Sequence, residues 1–250
     1  MKKLFTILAL TLVTLTSNAQ TYCYDTNGDG EIDINDVMCL VNKILGYPNP
    51  GEEPIAYLSC PDNNHPHMIN LGLPSGTKWA CCNVDAEEPE SYGGYYAWGE
   101  VTEKTTYNWS NYVHCDGTMG SCHIIGEDIA GTEYDVAHVK WGGKWQMPSK
   151  EQIKELLDNC AHEWIVGTDA SSGIKFTGTN GGTIFFPAAG GYWDDTSHNI
   201  GKYGYYWSST LDTSSPHRAA SFDSYSGNAY ITNSRRLDGC TIRPIVKTDK

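Results

Sequence analysis

The sequence predicts an α+β domain that is rich in long loops and follows a small calcium-binding loop and helix. Three observations predict this arrangement: one capped amphipathic helix that begins near Ser149, several short segments rich in aromatic and β-branched residues, and a twelve-residue acidic loop near the start of the chain. The chain has 250 residues, of which 26 are glycine and 11 are proline. Turn-forming residues at this frequency favour loops between short elements.

The first element, residues 1–19, has the pattern of an export signal. Two lysines give a positive start, an apolar run covers residues 4–15, and small residues at 17–19 form a cleavage site. The apolar run is shorter than the roughly 20 residues that span a bilayer. We therefore expect a mature bacterial protein that begins at Gln20, has no transmembrane segment, and is secreted or displayed at the cell surface.

The acidic loop, residues 25–36, reads Asp-Thr-Asn-Gly-Asp-Gly-Glu-Ile-Asp-Ile-Asn-Asp. A calcium loop of this length supplies oxygens from positions one, three, five, seven, nine and twelve, and it needs glycine at position six for a sharp turn. Gly30 stands at position six. The sequence therefore predicts calcium as the bound cofactor. The predicted ligands are Asp25, Asn27, Asp29, Glu31, Asp33 and Asp36.

A short helix is predicted after the loop, because apolar residues recur at helical spacing over residues 34–45. Gly46 and then Pro48 end this pattern. Residues 47–56 combine proline, glycine and charge, which is typical of a semi-extended linker. The main domain is therefore predicted to cover residues 57–250.

The segment 20–46 resembles a single dockerin repeat, in which no helix precedes the calcium loop and the last loop position is often Asp, as Asp36 is here. The resemblance implies a cohesin-like partner. Dockerins usually pair two repeats, however, and this sequence shows one. The cohesin-like partner is therefore an alternative expectation beside ligand binding by the main domain.

In the main domain, Ser149 and Gln152 form a capping box, and apolar residues follow at helical spacing up to Cys160. Most other regular segments have the composition of strands separated by turns. The strand candidates are Thr183–Pro187, Tyr203–Ser208, Ala219–Phe222, Asn228–Thr232 and Thr241–Val246.

Charge and cysteine content limit the partners. The 17 Lys and Arg residues are outnumbered by 30 Asp and Glu residues, giving a net charge of −13. Nucleic-acid binding needs clustered basic residues, so nucleic acid is not an expected partner. Nine cysteines in an exported chain predict disulfides with one thiol left over. Spacing favours the local pairs Cys23–Cys39 and Cys115–Cys122, while the remaining connectivity stays open.

Six motifs of the main domain run in the order found in the major paralogous domain of Fibrobacter succinogenes. They are Leu71–Ala80 (LGLPSGTKWA), Gly93–Glu100 (GGYYAWGE), Ala137–Pro148 (AHVKWGGKWQMP), Phe186–Gly190 (FPAAG), Gly204–Thr210 (GYYWSST) and Ile242–Ile245 (IRPI). The chain closely resembles that family from residue 71 to 245. The resemblance implies a C-type-lectin-like fold and an exported protein without an assigned chemistry.

The sequence shows no catalytic constellation, so we do not expect an enzyme. It contains no Gly-x-Ser-x-Gly nucleophile motif, and His138 has no evident nucleophile to activate. His65 and His67 flank a proline and would suit a transition metal, but without further ligands in the sequence we interpret them as structural. The glycine-flanked tryptophans are interpreted as core residues. They are Trp79, Trp98, Trp141 and Trp145.

Ligand binding has better support, because residues 190–239 mix many Tyr and Trp with Ser, Thr, Asn and Gly, the composition of binding surfaces. Whether Tyr205, Trp207 and Phe222 belong to this surface or alternate into the core stays open. The predicted ligand is a glycan or a cell-surface protein. The alternative is a non-catalytic or catalytic component of an extracellular polysaccharide-degrading assembly, docked through the calcium repeat. The predicted ligand contacts are Tyr192, Trp193, Tyr203, Tyr206, His217, Arg218, Tyr225, Tyr230 and Arg235.

Overall fold

The computed structural model of the protein describes residue 37 and residues 56–167 and 172–246. Strands account for 36% of the structure and helices for 11%. The prediction of an α+β, C-type-lectin-like domain is therefore wrong, since the domain is predominantly β and consists of several small sheets. The predicted export signal, the linker up to residue 55 and the six calcium ligands lie outside the described residues.

The regular elements are short and are separated by long loops. The strands are β1 (Ala56–Tyr57), β2 (Met68–Asn70), β3 (Lys78–Ala80), β4 (Trp145–Gln146), β5 (Ala161–Ile165), β6 (Gly173–Thr177), β7 (Thr183–Pro187), β8 (Gly191–Trp193), β9 (Thr196–His198), β10 (Tyr203–Leu211), β11 (Arg218–Tyr225), β12 (Asn228–Arg235) and β13 (Ile245–Val246). The helices are α1 (Val136–Trp141), α2 (Lys150–Asn159) and a 3-10 turn (Met119–Ser121).

These strands form four sheets. The largest has the order β1-β2-β3-β13-β4, in which only β1 and β2 pair in parallel. Two three-stranded antiparallel sheets have the orders β5-β6-β7 and β10-β11-β12, and β8 pairs with β9. Several of these pairings join segments far apart in the chain.

The strand predictions differ in accuracy. Thr183–Pro187 is confirmed as β7 with the same bounds. The three candidates that begin at 203, 219 and 228 are confirmed as β10, β11 and β12, each longer than predicted. The candidate Thr241–Val246 contains only the two-residue strand β13, because Thr241 makes an isolated bridge to Tyr206 instead.

The helix prediction at Ser149 is confirmed as α2. The Ser149 side chain accepts a hydrogen bond from the Gln152 backbone N–H, and Gln152 bonds back to the Ser149 backbone. Ile153 and Leu156 are buried on the face of α2 that packs against the main core. Burying a side chain of this size contributes about 1.5–3 kcal/mol, which fixes the helix in place.

Helix α1 was not predicted, and one carboxylate explains its start. Asp135 is fully buried, and its two oxygens accept hydrogen bonds from the backbone of Gly131, Ala137, His138 and Met147. Burial raises the pKa of Asp135, while these bonds lower it. A six-residue helix gives too little periodicity to be predicted from apolar spacing.

Two of the four tryptophans predicted to lie in the core, Trp79 and Trp98, are buried, whereas Trp141 and Trp145 are half-buried and contact each other edge to face at 5.2 Å. The Cys115–Cys122 disulfide is present, as their spacing predicted. The prediction that one thiol is left over is wrong, because five described cysteines are free: Cys60, Cys81, Cys82, Cys160 and Cys240. None of the described helices is long and apolar enough to cross a membrane.

Candidate functional site

The sheet β10-β11-β12 has two chemically different faces. Alternate residues point to opposite sides of a strand. Tyr206, Phe222 and Ile231 belong to the cluster that includes α2, so this face is the inner one. Tyr203 and Tyr205 alternate with Tyr206 and lie on the other face.

On this outer face, Trp207 is fully buried in a second core cluster against which Tyr205 packs, so the part of the face beyond Tyr205 belongs to the core. The remaining part carries a row of aromatic rings that we name the tyrosine face: Trp193, Tyr203, Tyr205, Tyr225 and Tyr230. Tyr203 stacks on Tyr205 with a centroid separation of 5.7 Å and lies 5.0 Å from Tyr225. Tyr225 contacts Tyr230 at 6.3 Å, and Trp193 contacts Tyr205 at 5.9 Å. Four of the rings are half-buried and Tyr230 is exposed, so the face combines fixed positions with solvent access.

A carboxylate lies in the middle of this face. The strand register sets Asp223 between Tyr205 and Tyr230. Ser221 Oγ donates a hydrogen bond of 3.0 Å to Asp223 Oδ1. Burial raises the pKa of Asp223 to about 6, because a buried carboxylate loses hydration. The sheet thus keeps an ionisable acceptor beside the rings at a cost in stability.

Two amides extend the polar part of the tyrosine face. Asn199 Nδ2 donates to the Tyr205 hydroxyl at 2.8 Å, and Asn228 Nδ2 donates to the Tyr225 hydroxyl at 3.2 Å. Asn199 has a positive φ of 58°, a conformation that Asn tolerates better than most residues. Stacked rings, a carboxylate and amides on one surface suit a ligand with both apolar and hydroxyl groups.

Four of the nine predicted ligand contacts meet on this face: Trp193, Tyr203, Tyr225 and Tyr230. Tyr192 does not join them, because its ring packs between Tyr95 at 4.7 Å and Tyr107 at 6.0 Å.

Tyr206 is a correction to the predicted contacts. Its side chain is 2% exposed, and its hydroxyl donates to the Pro187 carbonyl at 2.6 Å. A surface ligand cannot reach it, because it lies on the inner face of β10.

The three predicted basic contacts lie at the opposite end of the sheet. Arg218 begins β11 and pairs in register with Arg235, roughly 20 Å along the strand from Tyr225. Arg235 forms a salt bridge with Asp238 at 2.7 Å. His217 contacts Trp109 at 6.4 Å. These residues therefore do not share a site with the tyrosine face.

Sequence reasoning missed Asp223 and Asn199 and left Tyr205 open. The alternation along β10 contained the signal for Tyr205, since it stands two residues from Tyr203. Asp223 required the register across three strands, and Asn199 comes from a loop after β9. Neither relation is visible without the fold.

A separate cleft of about 370 Å³ is lined in part by Glu100, Lys104, His114 and Glu133. Glu100 bonds Lys104 Nζ at 2.7 Å and the Val113 backbone N–H at 2.9 Å. Burial lowers the pKa of His114, whose Nε2 lies 2.9 Å from the Gly99 carbonyl. Glu100, Lys104 and His114 are thus already paired within the protein. The cleft therefore offers weaker support for ligand binding than the tyrosine face does.

One group of side chains in residues 56–167 and 172–246 lies close enough to hold a metal ion: Cys60, His65, His67 and Cys81, whose ligand atoms all lie within 4.8 Å of one another. The interpretation of the two histidines as structural for lack of further ligands missed both cysteines. The fold supplies them from positions distant in sequence.

The comparison with protein families matches the part of the domain that follows β1, β2 and β3. The family described as domain of unknown function DUF8237 matches residues 121–245, which is half of the 250-residue chain. The chain belongs to this family. The DUF8237 region contains the whole tyrosine face, whereas Cys60, His65, His67 and Cys81 precede it. No match was found among curated proteins or solved structures.

Proposed function

We propose that this chain is an exported, calcium-binding protein whose DUF8237 domain binds a glycan through the tyrosine face. The observation that carries the proposal is the continuous row of aromatic rings around Asp223 on the outer face of β10-β11-β12. The proposed role is that of an adhesin-type binding module without catalytic activity.

The chemistry of a sugar matches this surface. A pyranose ring has apolar C–H faces and a rim of hydroxyls. Tyrosine and tryptophan rings provide flat contact area at a low cost in side-chain entropy. The exposed amides of Asn199 and Asn228 donate and accept hydrogen bonds. Asp223 is 8% exposed, so its carboxylate is an acceptor only for a hydroxyl that enters between the rings.

The charge of the chain also favours an uncharged ligand. With a net charge of −13, the protein repels polyanions such as nucleic acids and acidic polysaccharides at long range. A neutral glycan avoids this repulsion. We therefore propose neutral glycans as the ligand class.

A glycan array followed by calorimetry with purified mature protein tests the proposal. We expect binding to a neutral glycan. We expect Tyr203→Ala and Tyr225→Ala each to weaken this binding by about 10-fold or more, since loss of a hot-spot ring costs about 2 kcal/mol or more and 10-fold corresponds to about 1.4 kcal/mol. Trp109→Ala is the matched control, because this half-buried ring contacts His217 at the far end of the sheet.

The proposal fails if the folded protein binds no glycan, or if Trp109→Ala weakens binding as much as the two tyrosine variants do. Binding of a cell-surface protein that survives both tyrosine substitutions would also contradict a role for the tyrosine face.

A second candidate function comes from the acidic loop at residues 25–36. Its likeness to a dockerin repeat supports docking into an extracellular polysaccharide-degrading assembly through a cohesin-like partner. Retention of the protein on immobilised cohesin domains in calcium, with release by chelator, would support this function. An absence of retention in calcium would contradict it. We also propose that residues 71–245 are related to the major paralogous domain of Fibrobacter succinogenes, on the basis of the six shared motifs.

A further inference from the structure

The pairing of β2 with β3 brings together residues that are far apart in sequence. Met68 pairs with Ala80, so the positions just beyond them, His67 and Cys81, lie opposite each other. Cys81 N–H donates to the His67 carbonyl at 3.0 Å, and His67 N–H donates to Cys81 Sγ at 3.1 Å. Cys60 and His65 come from the loop that connects β1 to β2. Hydrogen bonds of the backbone N–H groups therefore fix His67 and Cys81, two of the four residues of the cluster.

Two thiols and two imidazoles converge in this cluster. Cys60 Sγ lies 3.4 Å from His65 Nδ1 and 3.5 Å from His67 Nδ1. Cys81 Sγ lies 3.2 Å and 3.7 Å from the same two nitrogens. Each sulfur thus faces both rings, and each ring presents the same nitrogen to both sulfurs.

These distances match the edges of a zinc coordination tetrahedron. Zinc–sulfur bonds of about 2.3 Å and zinc–nitrogen bonds of about 2.0–2.1 Å at tetrahedral angles set sulfur and nitrogen about 3.6 Å apart. The four measured separations run from 3.2 to 3.7 Å. The four sulfur–nitrogen edges therefore lie within about 0.4 Å of those of a zinc tetrahedron, and all four donor atoms lie within 4.8 Å of one another.

The surroundings also fit a metal centre. His67 Nε2, which faces away from the thiols, lies 3.1 Å from Asp62 Oδ1. A carboxylate on the outer nitrogen of a histidine orients the ring and makes it a stronger ligand. His65 Nε2 is buried and has no hydrogen-bond partner within the described ranges. Hydrogen bonding therefore does not account for the whole of this buried imidazole. His67 and Cys81 are 8% and 2% exposed, which limits access of water.

We propose that Cys60, His65, His67 and Cys81 bind one zinc ion through their two Sγ and two Nδ1 atoms. Soft thiolates and imidazoles select zinc over the calcium expected in the acidic loop. Binding forms two zinc–sulfur and two zinc–nitrogen bonds, and it releases the thiol protons to solvent. Four protein ligands leave no open position, so the ion is structural and joins the loop after β1 to the β2–β3 pair.

Zinc retention by the purified mature chain tests the proposal. The protein is prepared with a reductant, passed over a chelating resin, and titrated with zinc in excess calcium so that the acidic loop is occupied. We expect about one zinc ion per chain by elemental analysis. Cobalt in place of zinc should produce the visible absorption of a tetrahedral ion and a thiolate charge-transfer band.

Single substitutions identify the ligands. Cys60→Ser and His67→Asn should abolish stoichiometric retention, and Asp62→Asn should weaken zinc affinity by about 10–100-fold. Cys160→Ala and His162→Asn are matched controls. The first removes a buried thiol and the second an exposed imidazole, and both residues lie outside the cluster. Both controls should bind zinc as the unmodified chain does.

A measurement on the unmodified chain avoids any dependence on variant folding. Zinc should protect Cys60 from maleimide labelling, and peptide mapping should show that this protection is lost with chelator. The proposal is overturned if the chain retains no zinc, if Cys60→Ser binds zinc as well as the controls do, or if mapping of the exported protein finds a Cys60–Cys81 disulfide. None of these outcomes depends on glycan binding.

Discussion

Arg243 is fully buried, and three oxygens within 3.1 Å accept hydrogen bonds from its guanidinium group. Nε donates to Asn83 Oδ1 at 2.7 Å, Nη1 donates to the Ala80 carbonyl at 3.1 Å, and Nη2 donates to the Phe185 carbonyl at 2.7 Å. The group also stacks over Phe186 at 4.8 Å. One side chain therefore joins β3, β7 and the segment before β13.

Arg243→Met should lower the free energy of unfolding by about 3 kcal/mol or more, because each buried oxygen left without a donor costs about 1–3 kcal/mol. Urea denaturation measures the change. Arg235→Ala is the control, since its exposed salt bridge is worth about 1 kcal/mol or less. Equal losses in the two variants would contradict a linking role for Arg243.

Asp223 should make stability depend on pH near 6. Its folded pKa is raised to about 6, above the ordinary value of 3.8, so the folded state holds the proton more tightly than the unfolded state does. Stability from this group is therefore full below about pH 4 and is lost as the pH rises through 6. The loss amounts to about 3 kcal/mol at pH 7.

Asp223→Asn should remove this dependence and raise stability at pH 7. Melting temperatures of both proteins between pH 4 and 8 measure the effect. The exposed Asp195→Asn is the control and should leave the pH profile unchanged. A variant profile with the same fall between pH 4 and 6 would show that another group is responsible.

At the scale of elements, the sequence predicted best where an element is long and carries its own signal. The capping box at Ser149 and the apolar spacing after it predicted α2. The aromatic and β-branched composition of Thr183–Pro187 predicted β7. Strands of two or three residues, such as β1 and β4, contain too few positions for any periodicity, so only their partners define them.

The acidic loop at residues 25–36 is the element whose prediction rests on sequence alone. The loop has four aspartates, at positions 25, 29, 33 and 36, and like charges so close in sequence repel one another. We therefore expect calcium binding to supply folding energy to the segment. Asp25→Ala should lower the melting temperature of residues 20–45 in calcium and leave it unchanged in chelator. Calorimetry under the two conditions measures this, and an equal loss in both would show that Asp25 is not a ligand.

At the scale of the whole molecule, the sequence did not predict how the elements assemble. The α+β prediction rested on one clear helix among strands, and it did not anticipate seven short strands. These are β1, β2 and β3 within residues 56–80, and β5, β6, β8 and β9 within residues 161–198. The sites show the same limit. Composition indicated the aromatic segment over 190–239, but strand register was needed to set Asp223 among the rings and to bring Cys81 to His67.

The position of β13 determines when the largest described sheet can form during folding. This strand, Ile245–Val246, lies between β3 and β4, which precede it by about a hundred residues or more. Pairings over such separations form slowly, because a long loop must close first. A chain still emerging from a ribosome or a secretion channel therefore cannot complete its largest sheet. If the chain is exported, as we propose, this delay keeps the largest described sheet unformed while the chain passes through a narrow channel, which only an unfolded chain can thread.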